Sequence, residues 1–126
     1  MLKKKDIEMM SPLIWAYMGD AVYEQFIRDY LINQGVLKNG VYHKQAIKYV
    51  SAKAQVKILK RIEENLTEEE QDIVRRGRNS NPHSHAKNAD IVDYKLATGL
   101  EGLIGYLYLT KQNKRLKEVL NMCIEQ

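Results

Sequence analysis

Apolar residues recur at helical spacing along most of this 126-residue chain, and no segment shows the sustained alternation of apolar and polar residues that strands require. The chain contains only two prolines, and its Asn-Gly pair is flanked by helical spacing rather than by strand-like runs. Both features argue against β-hairpins and β-sheets. The sequence therefore predicts an all-α fold, a bundle of helices.

Residues that cap helices indicate where the helices begin and end. Ser11 followed by Pro12 is typical of an N-cap and a first helical residue, and Gly35 is suited to ending the same helix. Thr67 and Glu70 form a capping-box pattern at the start of another helix. The same reasoning ends that helix at Gly77 and predicts further helices at residues 41–49, 51–62, 89–110 and 115–124.

The length of the chain and its apolar stretches favour one domain that does not enter a membrane. A chain of 126 residues suits a single compact core. The longest nearly apolar stretch, residues 96–109, contains Glu101 and is shorter than the roughly 18 residues of a membrane-spanning helix. A single cysteine excludes an internal disulfide, so we expect a reducing, cytoplasmic setting.

Positive charge is concentrated in one part of the chain. The net charge is +4, but residues 38–61 contain seven basic residues and no acid. Lys53, Lys57 and Lys60 share one helix face, a geometry suited to following the phosphates of a nucleic acid. A solvated helix face with no binding role is the alternative interpretation.

A second basic segment favours the nucleic-acid interpretation. Residues 78–88 form a polar stretch of 11 residues, which is long for a purely structural connection. Four basic residues lie on or beside it: Arg75, Arg76, Arg78 and Lys87. We expect these four residues, with Lys53 and Lys57, to contact the phosphates of a nucleic acid.

Two acids interrupt apolar helices. Asp20 and Glu101 each lie in an otherwise apolar helix without a basic residue three or four positions away. Small residues surround both: Ala16, Gly19 and Ala21 in one helix, and Gly99, Gly102 and Gly105 in the other. Because small residues let helix backbones approach closely, we expect a tight crossing that places the two carboxylates side by side.

Two interpretations of the acid pair remain open. Each acid could cap or pair with a distant residue and serve only the fold. Alternatively, a divalent cation lies between the two carboxylates, and oxygen ligands of this kind favour Mg²⁺. On that interpretation the basic surfaces and the acid pair serve one reaction, hydrolysis of a phosphodiester.

Three segments resemble motifs of the ribonuclease III family. Residues 17–31, YMGDAVYEQFIRDYL, resemble the signature helix of its catalytic domains, and residues 100–109, LEGLIGYLYL, resemble the second acidic helix. Residues 49–59, YVSAKAQVKIL, resemble the segment between them. The short length and the segment RRGRNSNPHSHAKNAD resemble Mini-ribonuclease III, a short bacterial branch. The resemblance implies one ribonuclease III-like endonuclease domain, residues 1–126, with residues 1–10 as an N-terminal extension.

The resemblance implies catalytic and metal-binding roles for Asp20 and Glu101. It also implies a Mg²⁺-dependent endoribonuclease that cuts double-stranded RNA as a homodimer, with precursor 23S ribosomal RNA as substrate. Two positions depart from the family pattern, since Ala16 and Thr98 stand where the larger enzymes have acids. We therefore expect water or phosphate oxygen to supply more of the Mg²⁺ ligands.

Two further questions remain open at this level. The alternative function is a non-catalytic RNA-binding or ribosome-associated scaffold on the same fold, which the loss of acids at Ala16 and Thr98 favours and the retention of Asp20 and Glu101 opposes. For the dimer, Trp15, Met18 or Val22 would suit a subunit interface if exposed, and ordinary core packing is the other possibility.

Overall fold

The structure is a computed structural model that describes residues 2–35, 41–80 and 90–125. Seven α-helices and one short 3-10 turn account for most of these residues, and none of them forms a strand. The helices are α1 (Lys4–Met9), α2 (Pro12–Gln34), α3 (Tyr42–Val50), α4 (Ala52–Ile62), α5 (Glu68–Arg78), α6 (Ile91–Leu109) and α7 (Asn113–Ile124), with the 3-10 turn at Glu63–Asn65. The all-α prediction is confirmed.

Helix α6 is the central element of the bundle. Most of its residues from Ala97 to Leu107 are buried, and it packs against α2, α4, α5 and α7. Ile7 of α1 is also buried in the same apolar core, so the first helix packs onto the bundle. Within the described residues, no helix is long and apolar enough to cross a bilayer.

Most of the predicted caps are present. The Ser11 hydroxyl accepts a hydrogen bond from the Leu13 amide, and Gly35 ends α2 in the left-handed conformation, with φ of 68°. Thr67 and Glu70 form the reciprocal capping box. The predicted end at Gly77 is wrong by one residue, because α5 continues to Arg78 and the missing side chain of Gly77 serves close packing on α6 instead.

Helices α2 and α6 cross in backbone contact. An ideal Cβ on Gly19 would lie 1.7 Å from the Glu101 carbonyl oxygen, and one on Gly105 would lie 1.7 Å from the Trp15 carbonyl oxygen. No side chain larger than hydrogen fits at either position. The predicted tight crossing is therefore present, although Gly99 packs against Val74 of α5 rather than against α2.

Trp15 belongs to the core and not to an exposed face. Its side chain is fully buried, its indole N–H donates a 2.8 Å hydrogen bond to the Ile7 carbonyl, and its ring contacts Tyr106 edge-on. Core packing is thus the correct alternative for this residue. Met18 and Val22 are half-buried, while Ile14 and Tyr17 are the exposed large apolar residues of this part of α2.

Candidate active site

The close crossing of α2 and α6 brings Asp20 and Glu101 together. Both side chains line one open pocket, and the negative charge of Asp20 acts on the Glu101 carboxyl. Gly19 precedes Asp20 and has no side chain, so the backbone of α6 at Glu101 packs directly against α2 at this point. The predicted juxtaposition of the two acids is present in the structure.

The two acids differ in exposure. Asp20 is exposed, because its face of α2 is open to solvent. The expectation that both acids lie in apolar surroundings is therefore wrong for Asp20. Glu101 is half-buried between α2, α4 and α6. None of the ion pairs formed within the described residues includes either acid.

The surroundings of Glu101 favour its protonated form. Burial, and to a smaller extent the negative charge of Asp20, raise the pKa of the Glu101 carboxyl to about 8. A hydrogen bond from Gln55 acts in the opposite direction, and the negative charge of Glu24 adds a smaller increase. When the Glu101 carboxyl is ionised, its negative charge is unfavourable at this position, and a bound cation would neutralise it.

Ala16 and Thr98 line the same pocket as the two acids. Both are buried, and the Thr98 hydroxyl donates a 2.9 Å hydrogen bond to the Tyr94 carbonyl, one turn earlier in α6. The two departures from the family pattern therefore lie at the site itself. In residues 2–35, 41–80 and 90–125, no three His, Cys, Asp or Glu side chains are gathered closely enough to hold a metal ion.

The donor set fits a hydrated hard cation. Two carboxylates in an open pocket leave room for water, and Mg²⁺ retains several waters when it binds protein carboxylates. The buried Oε1 of Gln55 has no hydrogen-bond partner, although Nε2 of the same amide donates to Glu101. The O–H groups of a hydrated cation are the kind of donor that this oxygen lacks.

The basic residues predicted to bind RNA do not all lie together. Lys53 and Lys57 are exposed on α4 and line a groove with Lys48 and Arg61. Gln55 lies between them in sequence but is turned inward, so these two lysines project from the other side of α4. The lysine face and the acid pocket are consequently separate surfaces of the protomer.

The arginines of α5 have two different environments. Arg75 and Arg78 are exposed, and Arg75 pairs with Asp72. Arg76 is half-buried: its guanidinium donates a 2.7 Å hydrogen bond to the Glu8 carbonyl and lies 4.9 Å from the centre of the Trp15 ring. We therefore assign Arg76 to packing rather than to RNA contact. Lys87 and most of the polar stretch at residues 78–88 lie outside the described residues.

Two residues near Glu101 have no counterpart in the sequence predictions. Glu24 lies one turn after Asp20 on α2, and Gln55 donates a 3.3 Å hydrogen bond to Oε2 of Glu101. A signal for Gln55 is present in the sequence, because it shares the inward face of α4 with Leu59 and Ile62. A polar residue on an apolar face requires a partner inside the protein.

Comparisons with known proteins find similar sequences and a similar fold. The family model for the ribonuclease III domain matches residues 13–112. The Mini-ribonuclease 3 of Enterococcus faecalis is 48% identical over 97% of this chain and 94% of its own length. That of Streptococcus pneumoniae is 43% identical over 96% of both chains. A crystal structure of a protein from Fusobacterium nucleatum is similar with a TM-score of 0.82, at 35% identity over 92% of this chain and 94% of that one.

Proposed function

The chain belongs to the ribonuclease III family, and on that basis we propose that Asp20 and Glu101 are its catalytic and metal-binding residues. It is an endoribonuclease that acts on double-stranded RNA. One observation supports the assignment best: the two carboxylates meet where α2 and α6 cross so closely that no side chain fits between them. Within the described residues, neither carboxylate forms an ion pair. We also propose that residues 1–126 form a single endonuclease domain with residues 1–10 as its N-terminal extension.

The proposed cofactor is Mg²⁺. When bound, a divalent cation neutralises charge on the phosphate and makes water a better nucleophile. Asp20 and Glu101 would hold it, and the exposure of Asp20 leaves the pocket open to a substrate phosphate. Ala16 and Thr98 add no carboxylate, so water and RNA oxygens would complete the coordination.

RNA binding is proposed for the exposed basic residues. Four of the residues proposed here are exposed and would contact phosphates without reading bases: Lys53 and Lys57 on α4, and Arg75 and Arg78 on α5. Lys87 is proposed with them on its charge alone. Arg76 is not proposed as an RNA contact, because its guanidinium already donates a hydrogen bond to the Glu8 carbonyl.

We propose a homodimer that cuts both strands of precursor 23S ribosomal RNA, which would place its action in the cytoplasm. The substrate rests on the resemblance to Mini-ribonuclease III. The dimer has additional support in Ile14 and Tyr17, two exposed apolar residues of α2, of which Tyr17 also lines the acid pocket. A twofold axis in the protein would match the local twofold of a duplex and allow paired cuts.

Cleavage of a labelled RNA duplex tests the proposal. We expect the wild type to cut only with Mg²⁺, and Asp20→Asn to lose cleavage by about 1,000-fold or more while still binding duplex, because the substitution removes a ligand charge without changing volume. Asp29→Asn is the matched control, since Asp29 is an exposed acid on the same helix that does not line the pocket. Duplex binding without cleavage by the wild type in Mg²⁺ would favour the scaffold alternative.

A further inference from the structure

Gln55 is a buried polar residue at the junction of three helices. Its side chain is 2% exposed, and its Nε2 donates hydrogen bonds to the Val50 carbonyl at 3.0 Å and to Glu101 Oε2 at 3.3 Å. The first bond holds the turn between α3 and α4, and the second reaches α6. One amide group therefore connects the α3–α4 junction to an acid of the active site.

The orientation of this amide is determined by its neighbours. Both contacts of Nε2 are with oxygen acceptors, so reversing the amide would place Oε1 against the Val50 carbonyl. In the orientation present, Oε1 is buried without a hydrogen-bond partner. A buried acceptor left unpaired costs about 1 to 3 kcal/mol, so a residue that served only to hold the turn would be a poor choice here.

We infer that Gln55 is a positioning residue that orients the Glu101 carboxylate toward the divalent cation through its Nε2 hydrogen bond. This inference rests on the proposed function of Glu101. Groups that hydrogen-bond a metal ligand fix its direction, and their loss typically weakens metal affinity about 10- to 100-fold. Since Gln55 does not line the pocket itself, it acts through Glu101.

The structure supplies a matched control for the alternative, a purely structural role at the α3–α4 junction. The Tyr23 hydroxyl donates a 2.8 Å hydrogen bond to the Tyr49 carbonyl, next to the Val50 carbonyl that Gln55 contacts. Tyr23→Phe removes one bond from the same junction and leaves the bond between Gln55 and Glu101 in place. The Tyr23→Phe variant therefore distinguishes a looser α3–α4 junction from a loss of orientation of the Glu101 carboxylate.

The test is binding of Mn²⁺, a paramagnetic substitute for Mg²⁺, to the RNA-free protein by electron paramagnetic resonance. We expect Gln55→Met, which keeps the side-chain length, to weaken Mn²⁺ binding about tenfold and to lower kcat for duplex cleavage while KM changes less than about twofold. Tyr23→Phe should lower Tm and leave the Mn²⁺ affinity unchanged. Equal Mn²⁺ affinity in Gln55→Met and the wild type would overturn the inference.

Two further variants keep the result decisive. Gln55→Leu removes both amide atoms without adding a charge, so it is expected to weaken Mn²⁺ binding in the same way and applies if Gln55→Met does not fold. Asp20→Asn in the same titration tests the site itself. If Asp20→Asn binds Mn²⁺ as the wild type does, the proposed function fails; if only the Gln55 variants bind normally, the positioning role alone fails.

Discussion

Glu70 on α5 and Glu101 on α6 are both withdrawn from solvent, but their surroundings act on their charge in opposite directions. Arg115 of α7 donates to both Glu70 oxygens at 2.8 Å, and the Thr67 amide donates to Oε1 at 2.9 Å. Burial alone would raise the pKa of Glu70, but these hydrogen bonds outweigh it and lower the pKa. The pKa of Glu101 is instead raised to about 8, mainly by burial and also by the negative charge of Asp20.

The difference separates a structural acid from a functional one. The charge of Glu70 is satisfied inside the protein, so ionisation strengthens the fold. The charge of Glu101 is opposed by burial and by a like charge, so ionisation weakens the fold unless a cation binds. Of these two glutamates, Glu101, which has no ion-pair partner among the described residues, is therefore the one expected to carry chemistry.

The largest expected effect concerns the helix crossing that creates the acid pair. Gly105→Ala should abolish cooperative folding, because the new methyl group would overlap the Trp15 backbone, at a cost above about 5 kcal/mol. Circular dichroism melting measures this. Gly102→Ala is the control: its Cβ would lie 3.8 Å from the nearest atom, so we expect it to be neutral or to raise stability by up to about 1 kcal/mol. Native-like melting of Gly105→Ala would refute the backbone contact.

A smaller effect is expected at the paired acid. Glu70→Gln should lower the free energy of unfolding by about 2 kcal/mol at neutral pH, because it removes charge-assisted hydrogen bonds with Arg115. Since the pKa of Glu70 is lower in the folded state, its stabilisation is present above the unfolded pKa of about 4.5 and disappears as pH falls through the folded value. The two proteins should therefore converge in urea unfolding at acid pH.

Glu68→Gln is the control for that comparison. Glu68 lies in the same first turn of α5 but is exposed, so its substitution should cost less than about 0.5 kcal/mol. A deficit for Glu70→Gln that persists unchanged at acid pH would show that packing, and not charge, accounts for its effect.

The smallest effect contrasts exposed and engaged arginines of α5. Neutralising Arg75 and Arg78 together should reduce the slope of log affinity against log salt for duplex RNA by about two units, since each phosphate contact contributes about one unit. Arg76→Gln should instead lower Tm, because it removes the hydrogen bond to Glu8 and the contact with Trp15. An unchanged slope in the double variant would remove this face of α5 from the RNA-binding surface.

Helical periodicity and capping residues were sufficient to predict the fold class and most helix ends, because these are local properties. They also indicated the two acids, since a charge within an apolar helix is visible in the sequence. The packing partners were not predictable. Gly99 and Gly105 have the same spacing to Gly102 but pack on different helices, and only the assembled bundle assigns Gly99 to α5. The sequence around Trp15 is equally compatible with an interface, and only the folded structure brings its indole N–H to the Ile7 carbonyl.

The functional contrast between the two glutamates is tested most directly by measuring duplex cleavage and thermal unfolding on one preparation of Glu101→Gln. We predict that cleavage in Mg²⁺ falls by about 1,000-fold or more, while Tm in the absence of metal equals or exceeds that of the wild type, because an unfavourable buried charge is removed. Glu70→Gln in parallel should show the reverse, a lower Tm with cleavage retained below it. Retained cleavage by Glu101→Gln, or a loss of Tm as large as that of Glu70→Gln, would contradict the assignment of Glu101 to function rather than to the fold.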